Sequence, residues 1–171
     1  EVLLKDARVN VNQPDNEGMN PLAIAANEGR SKCIEVLLKD ARVNVNQPDN
    51  EGMNPLAIAA NQGCSKSIEA LLKDARVNVN QPDNKGMNPL AHAANQGRSK
   101  CIVALLEDTR VNVNQLDNKG FFPLWQACVH LRTAMGNMGA CDGRFDDHTD
   151  PIRSLVLLLR SRRVSTAALD Q

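Results

Sequence analysis

The chain has 171 residues, its 20 basic and 20 acidic side chains cancel, and aromatic residues make up 2% of it. A neutral chain carries no net field that would draw it to nucleic acid or to an anionic membrane. Its longest aliphatic run, residues 155–159, is far short of the ~20 apolar residues that a membrane-spanning helix needs.

No basic start followed by an apolar core and a cleavage site is visible, so no secretory signal is read and an intracellular, cytoplasmic protein is expected. Residues 1–8 repeat residues 35–42. They are read as the tail of a preceding unit. From there the chain is periodic: Lys5, Lys39 and Lys73 recur at intervals of 34 residues, with Glu107 next in line. The stretch Asn20-Pro21-Leu22-Ala23-Ile24-Ala25-Ala26 returns at residues 54–60 and, with His92 in the place of Ile24, at 88–94. Asparagine can cap a helix and proline suits its first position, so each copy predicts a short helix. Gly29, Gly63 and Gly97 end it, and a second apolar helix follows, as in Ile34-Glu35-Val36-Leu37-Leu38. Neither helix can bury its apolar face alone, so each unit must be covered by the next.

A 34-residue period is shared by tetratricopeptide repeats, but those bury bulky aromatics, and this chain has three Phe, one Trp and no Tyr. The run Asp15-Asn16-Glu17-Gly18-Met19-Asn20-Pro21-Leu22-Ala23-Ile24-Ala25-Ala26-Asn27-Glu28-Gly29, with Ile34-Glu35-Val36-Leu37-Leu38 and Val43-Asn44-Val45-Asn46 after it, resembles the ankyrin repeat. The resemblance covers nearly the whole chain. It implies an all-α solenoid of stacked helix-turn-helix units joined by β-turn or hairpin links, with the first helices lining a concave side. Asn20, Asn54 and Asn88 replace the family's threonine, Ala23, Ala57 and Ala91 its histidine, and Ala41 and Ala75 the glycine that follows the second helix.

On this reading, repeats span residues 9–42, 43–76 and 77–110, and a divergent one spans 111–163. In the divergent unit Phe121, Phe122 and Trp125 replace small or polar residues, and its second helix is read at residues 150–160. Residues 131–149 are read as a Gly- and Asp-rich inserted loop. Residues 164–171 are the start of a further repeat or a frayed tail.

Cysteine and histidine positions raise the question of chemistry. Cys33 and Cys101 hold the same place two units apart, beyond disulfide reach, and are read as reduced apolar fillers. Cys64 stands in an arginine column and is expected to be exposed. His92 is expected to sit partly exposed at a helix interface. Cys128, His130, Cys141 and His148 fit no common zinc spacing. No nucleophile comes with a base and orienting acid. No metal, cofactor or small-molecule substrate is therefore assigned, and the chain is read as a non-enzyme. A metal-dependent enzyme using residues 131–149 stays as a remote alternative. Ser165, after Arg162 and Arg163, is a possible phosphorylation site.

What remains is a surface. The resemblance implies partner contact through link tips and first helices, here Asn16, Glu17, Met19, Asn27, Glu28 and their equivalents. Met19, Met53, Met87 and Phe121 form an apolar column, packed within the stack or offered to a partner. Glu17, Glu51, Lys85 and Lys119 form a column that turns from acidic to basic and could orient a partner. With Phe122 and Trp125, these residues make the expected binding surface for another protein. The alternative is a non-catalytic spacer or regulatory arm of a larger multidomain protein.

Overall fold

The computed structural model describes residues 6–136, with side chains through residue 129. Seven helices follow one another: α1 (Pro21–Asn27), α2 (Ser31–Leu37), α3 (Pro55–Gln62), α4 (Ser65–Leu72), α5 (Pro89–Asn95), α6 (Ser99–Glu107) and α7 (Pro123–Gly136). No strand occurs among the described residues. The odd-numbered helices pack on one another in one layer, and α2, α4 and α6 do so in a second. Each pair also packs internally. The result is an all-α solenoid of stacked helix-turn-helix units.

Local chemistry starts each first helix in the same way. Asn20, Asn54 and Asn88 are extended residues whose side-chain oxygens accept the backbone N–H of Ala23, Ala57 and Ala91 at 2.8–2.9 Å. Proline follows, and its missing N–H is no loss at that position. Gly29, Gly63 and Gly97, all at positive φ, then turn the chain. Helices of seven to nine residues are too short to persist alone in water. What holds them is Leu22, Leu56 and Leu90 from the first layer and Ile34, Ile68 and Ile102 from the second, all almost wholly buried. Each such side chain contributes about 1.5–3 kcal/mol by leaving water. Alanines between them let the layers approach closely.

The capping asparagines reach beyond their own helix. Asn54 Nδ2 donates to Asn78 O at 3.0 Å and Asn88 Nδ2 to Asn112 O at 3.0 Å, both carbonyls belonging to the following unit. A second row does the same: Asn46 Nδ2 donates to Arg76 O at 2.8 Å while its Oδ1 accepts Asn78 N–H at 2.7 Å. Asn12 and Asn80 repeat that pattern on either side.

Helices of the second layer end without glycine. No non-glycine residue among those described has positive φ, so Ala41 and Ala75 stay right-handed or extended. The carbonyls are met instead by the following unit's arginine. Arg76 donates to Leu38 O at 3.0 Å and Ala41 O at 3.3 Å, and Arg110 to Leu72 O at 3.1 Å. Asp74 and Asp108 hold these guanidiniums at 2.6 Å. A fixed positive charge at a helix C-terminus also meets the negative end of its dipole.

One expectation is corrected here. Residues 131–136, read as the beginning of the inserted loop, continue α7 to Gly136. Leu131, Arg132, Ala134 and Met135 are strong helix formers, so the helix runs on. The rest of the insert, the helix read at 150–160, Ser165 and the two terminal segments 1–5 and 164–171 lie outside the described residues.

Asn54→Ala removes a helix cap and leaves the Asn78 carbonyl without its donor. A loss of about 2–3 kcal/mol in denaturant unfolding is expected. Asn54→Thr keeps a capping oxygen but not the bridge to Asn78, and should lose about half as much. Equal stabilities for the two variants would contradict the bridging role.

Candidate partner-binding surface

Each link folds on an aspartate. Asp49 Oδ1 accepts the N–H groups of Glu51 and Met53, both at 2.9 Å, and Asp15, Asp83 and Asp117 do the same in their units. This tight loop throws Glu17, Glu51, Lys85 and Lys119 outward, and all four are exposed. Neighbouring tips are zipped together. Asn50, Asn84 and Asn118 donate their backbone N–H to Glu17, Glu51 and Lys85 O at 2.9–3.0 Å. Their side-chain amides donate to Asn16, Asn50 and Asn84 O at 3.0–3.2 Å. Gly52, at φ 86°, has no room for a side chain, since a Cβ there would stand 2.6 Å from Asn84 Oδ1. The four charges therefore ride on a ladder of fixed rungs, acidic at two and basic at two.

The apolar column beside them is unequal. Met19, Met53 and Phe121 are half-buried, whereas Met87 and Phe122 are only 8% and 9% exposed. Met87 and Phe122 therefore support the surface from beneath rather than lie on it. Trp125 is 40% exposed and stacks on Phe121, with centroids 5.1 Å apart and planes at 9°. It stands in the column of Ala23, Ala57 and Ala91, which are 0–2% exposed. Ala23 is fully covered although no first helix precedes α1 among the described residues. Ile24, in the next column, is only half-covered there, whereas Ile58 is buried. Trp125 thus stands exposed at a position that is buried in the three preceding units.

His92 overturns its expectation. It is buried, 6% exposed, and its Nε2 lies 3.1 Å from Asp83 Oδ2. Burial holds its pKa below the ordinary value, outweighing the charge and hydrogen bond of Asp83 and a smaller pull from Glu51, while Lys85 adds to the lowering. The neutral ring thus donates to the carboxylate. Gln126, in the same column of the fourth unit, donates to Asp117 Oδ2 at 2.8 Å. In the first two units that column is Ile24 and Ile58. A polar side chain at this place locks the later tips to their helices, a partner that repeat register alone did not reveal.

The thiols also shift from expectation. Cys64 is half-buried, its Sγ 4.0 Å from Asn27 O. Desolvation raises its pKa despite the nearby Arg98, so it is a poorer nucleophile than an exposed thiol. Cys101 is a buried filler with its pKa pushed up to about 12 by burial. Cys33 is exposed rather than buried, whereas Ser67 and Cys101 in the same column are buried.

No group of three or more His, Cys, Asp or Glu able to hold a metal occurs among the described residues. Cys141, His148 and the side chain of His130 lie outside them. Depressions between second-layer helices, such as one of about 280 Å³ at Ser65, Glu69, Lys100 and Glu107, are open grooves. No helix among the described residues is long and apolar enough to cross a membrane.

Stacked two-helix units on zipped tips are the architecture of one repeat class. A family profile described as ankyrin repeats (3 copies) matches residues 1–83, and one described as ankyrin repeat matches residues 85–118. The chain belongs to the ankyrin repeat family, whose members act in general as protein-interaction modules. No curated protein matches it.

Because the folded state keeps His92 neutral and the unfolded chain protonates it near pH 6.5, the fold is favoured above that pH. It loses stability as pH falls below it, toward the lower folded pKa. His92→Ile, which restores the residue of the first two units, should flatten the pH dependence of the melting temperature between about pH 7.5 and 5.5. An unchanged slope in that variant would refute the assignment.

Proposed function

We propose that the chain is a scaffold that holds another protein along its row of link tips and the adjoining side of its first helices. The observation that carries this reading is the rigid ladder of exposed charges, acidic at Glu17 and Glu51 and basic at Lys85 and Lys119, with half-exposed apolar side chains beside it. Fixed tips lose little conformational freedom when a partner lies down on them. Opposite charges at the two ends give that partner one preferred direction. Met19, Met53, Phe121 and Trp125 supply the apolar contact, with Met87 and Phe122 packed behind. The reading needs no metal, cofactor or small-molecule substrate, and no nucleic acid.

A second reading has one observation in its favour. Residues 5–38 and 39–72 differ at only four positions, Glu28/Gln62, Arg30/Cys64, Cys33/Ser67 and Val36/Ala70. None of these is at a tip. Uniform units suit a spacer or regulatory arm of a larger protein, with the selective contacts gathered in the fourth unit, where Phe121 and Trp125 depart from the pattern.

Pull-down with the chain should retain a partner whose affinity falls about tenfold or more in Phe121→Ala or Trp125→Ala, as expected for anchoring aromatics. Met53→Ala should cost less. Retention at full affinity by the triple variant would remove this surface from the function.

A further inference from the structure

Among the described tips the charge changes sign once, between the second and the third. Residues 41–63 and 75–97 differ at only two positions, Glu51/Lys85 and Ile58/His92. Ile58 and His92 are both buried, so the tip charge is the one change these two stretches show at their surface. Glu17 and Glu51 precede it, Lys85 and Lys119 follow it, and all four are exposed.

Turned end for end, the order acidic, acidic, basic, basic reads basic, basic, acidic, acidic. A two-fold axis between the second and third tips therefore sets Glu17 against the second copy's Lys119 and Glu51 against the second copy's Lys85. The same two pairs recur with the copies exchanged, because a two-fold contact is one surface facing itself. We propose that this row is a self-association surface, through which two copies of the chain pair antiparallel, tip to tip. This rests on the protein-binding reading of the tips and names the partner as a second copy.

Spacing favours this occupant. Each tip is tied to the next by the same pair of bonds, an asparagine N–H at 2.9–3.0 Å and its side-chain amide at 3.0–3.2 Å. The charges thus recur at one fixed interval, and a partner must share that interval to meet all four. A second copy has it by construction. Other arrangements of two copies are poorer. In parallel register, glutamate faces glutamate and lysine faces lysine, which is repulsive. Parallel copies offset by two units match two rungs and leave the others unpaired.

The turn aspartates do not alter the order of signs. They recur in all four units, and the Oδ1 of each is spent on backbone N–H groups of its own tip. The apolar column joins the contact. Phe121 comes opposite the second copy's Met19, both half-buried, and a methionine sulfur beside an aromatic ring is favourable. Exposed ion pairs on a narrow strip make a weak, reversible dimer.

Sedimentation equilibrium of the full chain over a concentration series should show a species of twice its 18.7 kDa mass. A dissociation constant on the order of 100 μM is expected, weakening as salt is raised. Glu51→Lys sets lysine against lysine at both inner rungs, and Lys85→Glu sets glutamate against glutamate. Each variant alone should dimerise about tenfold more weakly. Both should keep the parent's circular dichroism, since each installs the residue that the adjacent unit carries at that place. Mixed in equal amounts, the two variants are complementary again and should form a heterodimer with the parent's affinity. The double variant should likewise regain self-association. A chain that stays monomeric up to about 1 mM, or a mixture of the two variants that stays monomeric, overturns the self-pairing. Open-ended species larger than a dimer also overturn it, in favour of the offset arrangement. If self-pairing fails while a pulled-down partner is still lost with Glu51→Lys or Lys85→Glu, the scaffold reading stands without it.

Discussion

Everything in this structure depends on a side-chain amide that commits its two ends to two different units. An asparagine oxygen caps or closes the turn of its own repeat, and its NH₂ group reaches a carbonyl of the next. Asn54 does this between α3 and Asn78 O, whereas Asn46 spends both ends at the junction with the following unit, its Oδ1 accepting Asn78 N–H and its Nδ2 donating to Arg76 O. Asn50 joins its tip to Asn16. These bonds are directional where apolar contact is not. They set the register of stacking, while leucine and isoleucine supply the driving force.

The same sharing between units explains why unusual residues are tolerated. A glycine is expected after the second helix, yet alanine stands there, because an arginine from the next unit meets the free carbonyls. The helix end is thereby completed only when its neighbour is present. Such a design makes each unit's local geometry conditional on stacking, and it strengthens nearest-neighbour coupling relative to the stability of a lone unit.

On the proposed reading, binding follows from the way the tips are held. Loops that carry contact residues are usually the mobile part of a protein. Here they are laddered by backbone and side-chain hydrogen bonds, and in the third and fourth units also tied to the helix below through His92 and Gln126. The surface is preorganised, with charge changing sign along it. The fourth unit breaks the uniformity by exposing Trp125, and it is there that the array becomes chemically distinct from its neighbours.

The repeat period, the helix starts, the glycine stops and the family were all legible in residues 9–118, because a short recurring pattern of cap, proline and apolar positions dictates local conformation. The charged column was legible too, since its spacing equals the period. Burial was not. That Met87 sinks while Met19, Met53 and Phe121 of its column stay half-buried, that His92 is buried against an aspartate nine residues earlier, and that Cys33 is exposed while Cys101 in the same column is buried depend on what packs against each copy. A sequence repeated almost unchanged carries no mark of which face is covered by a neighbour. Only the stacking, which places one unit's column against the next unit's helix, decides it.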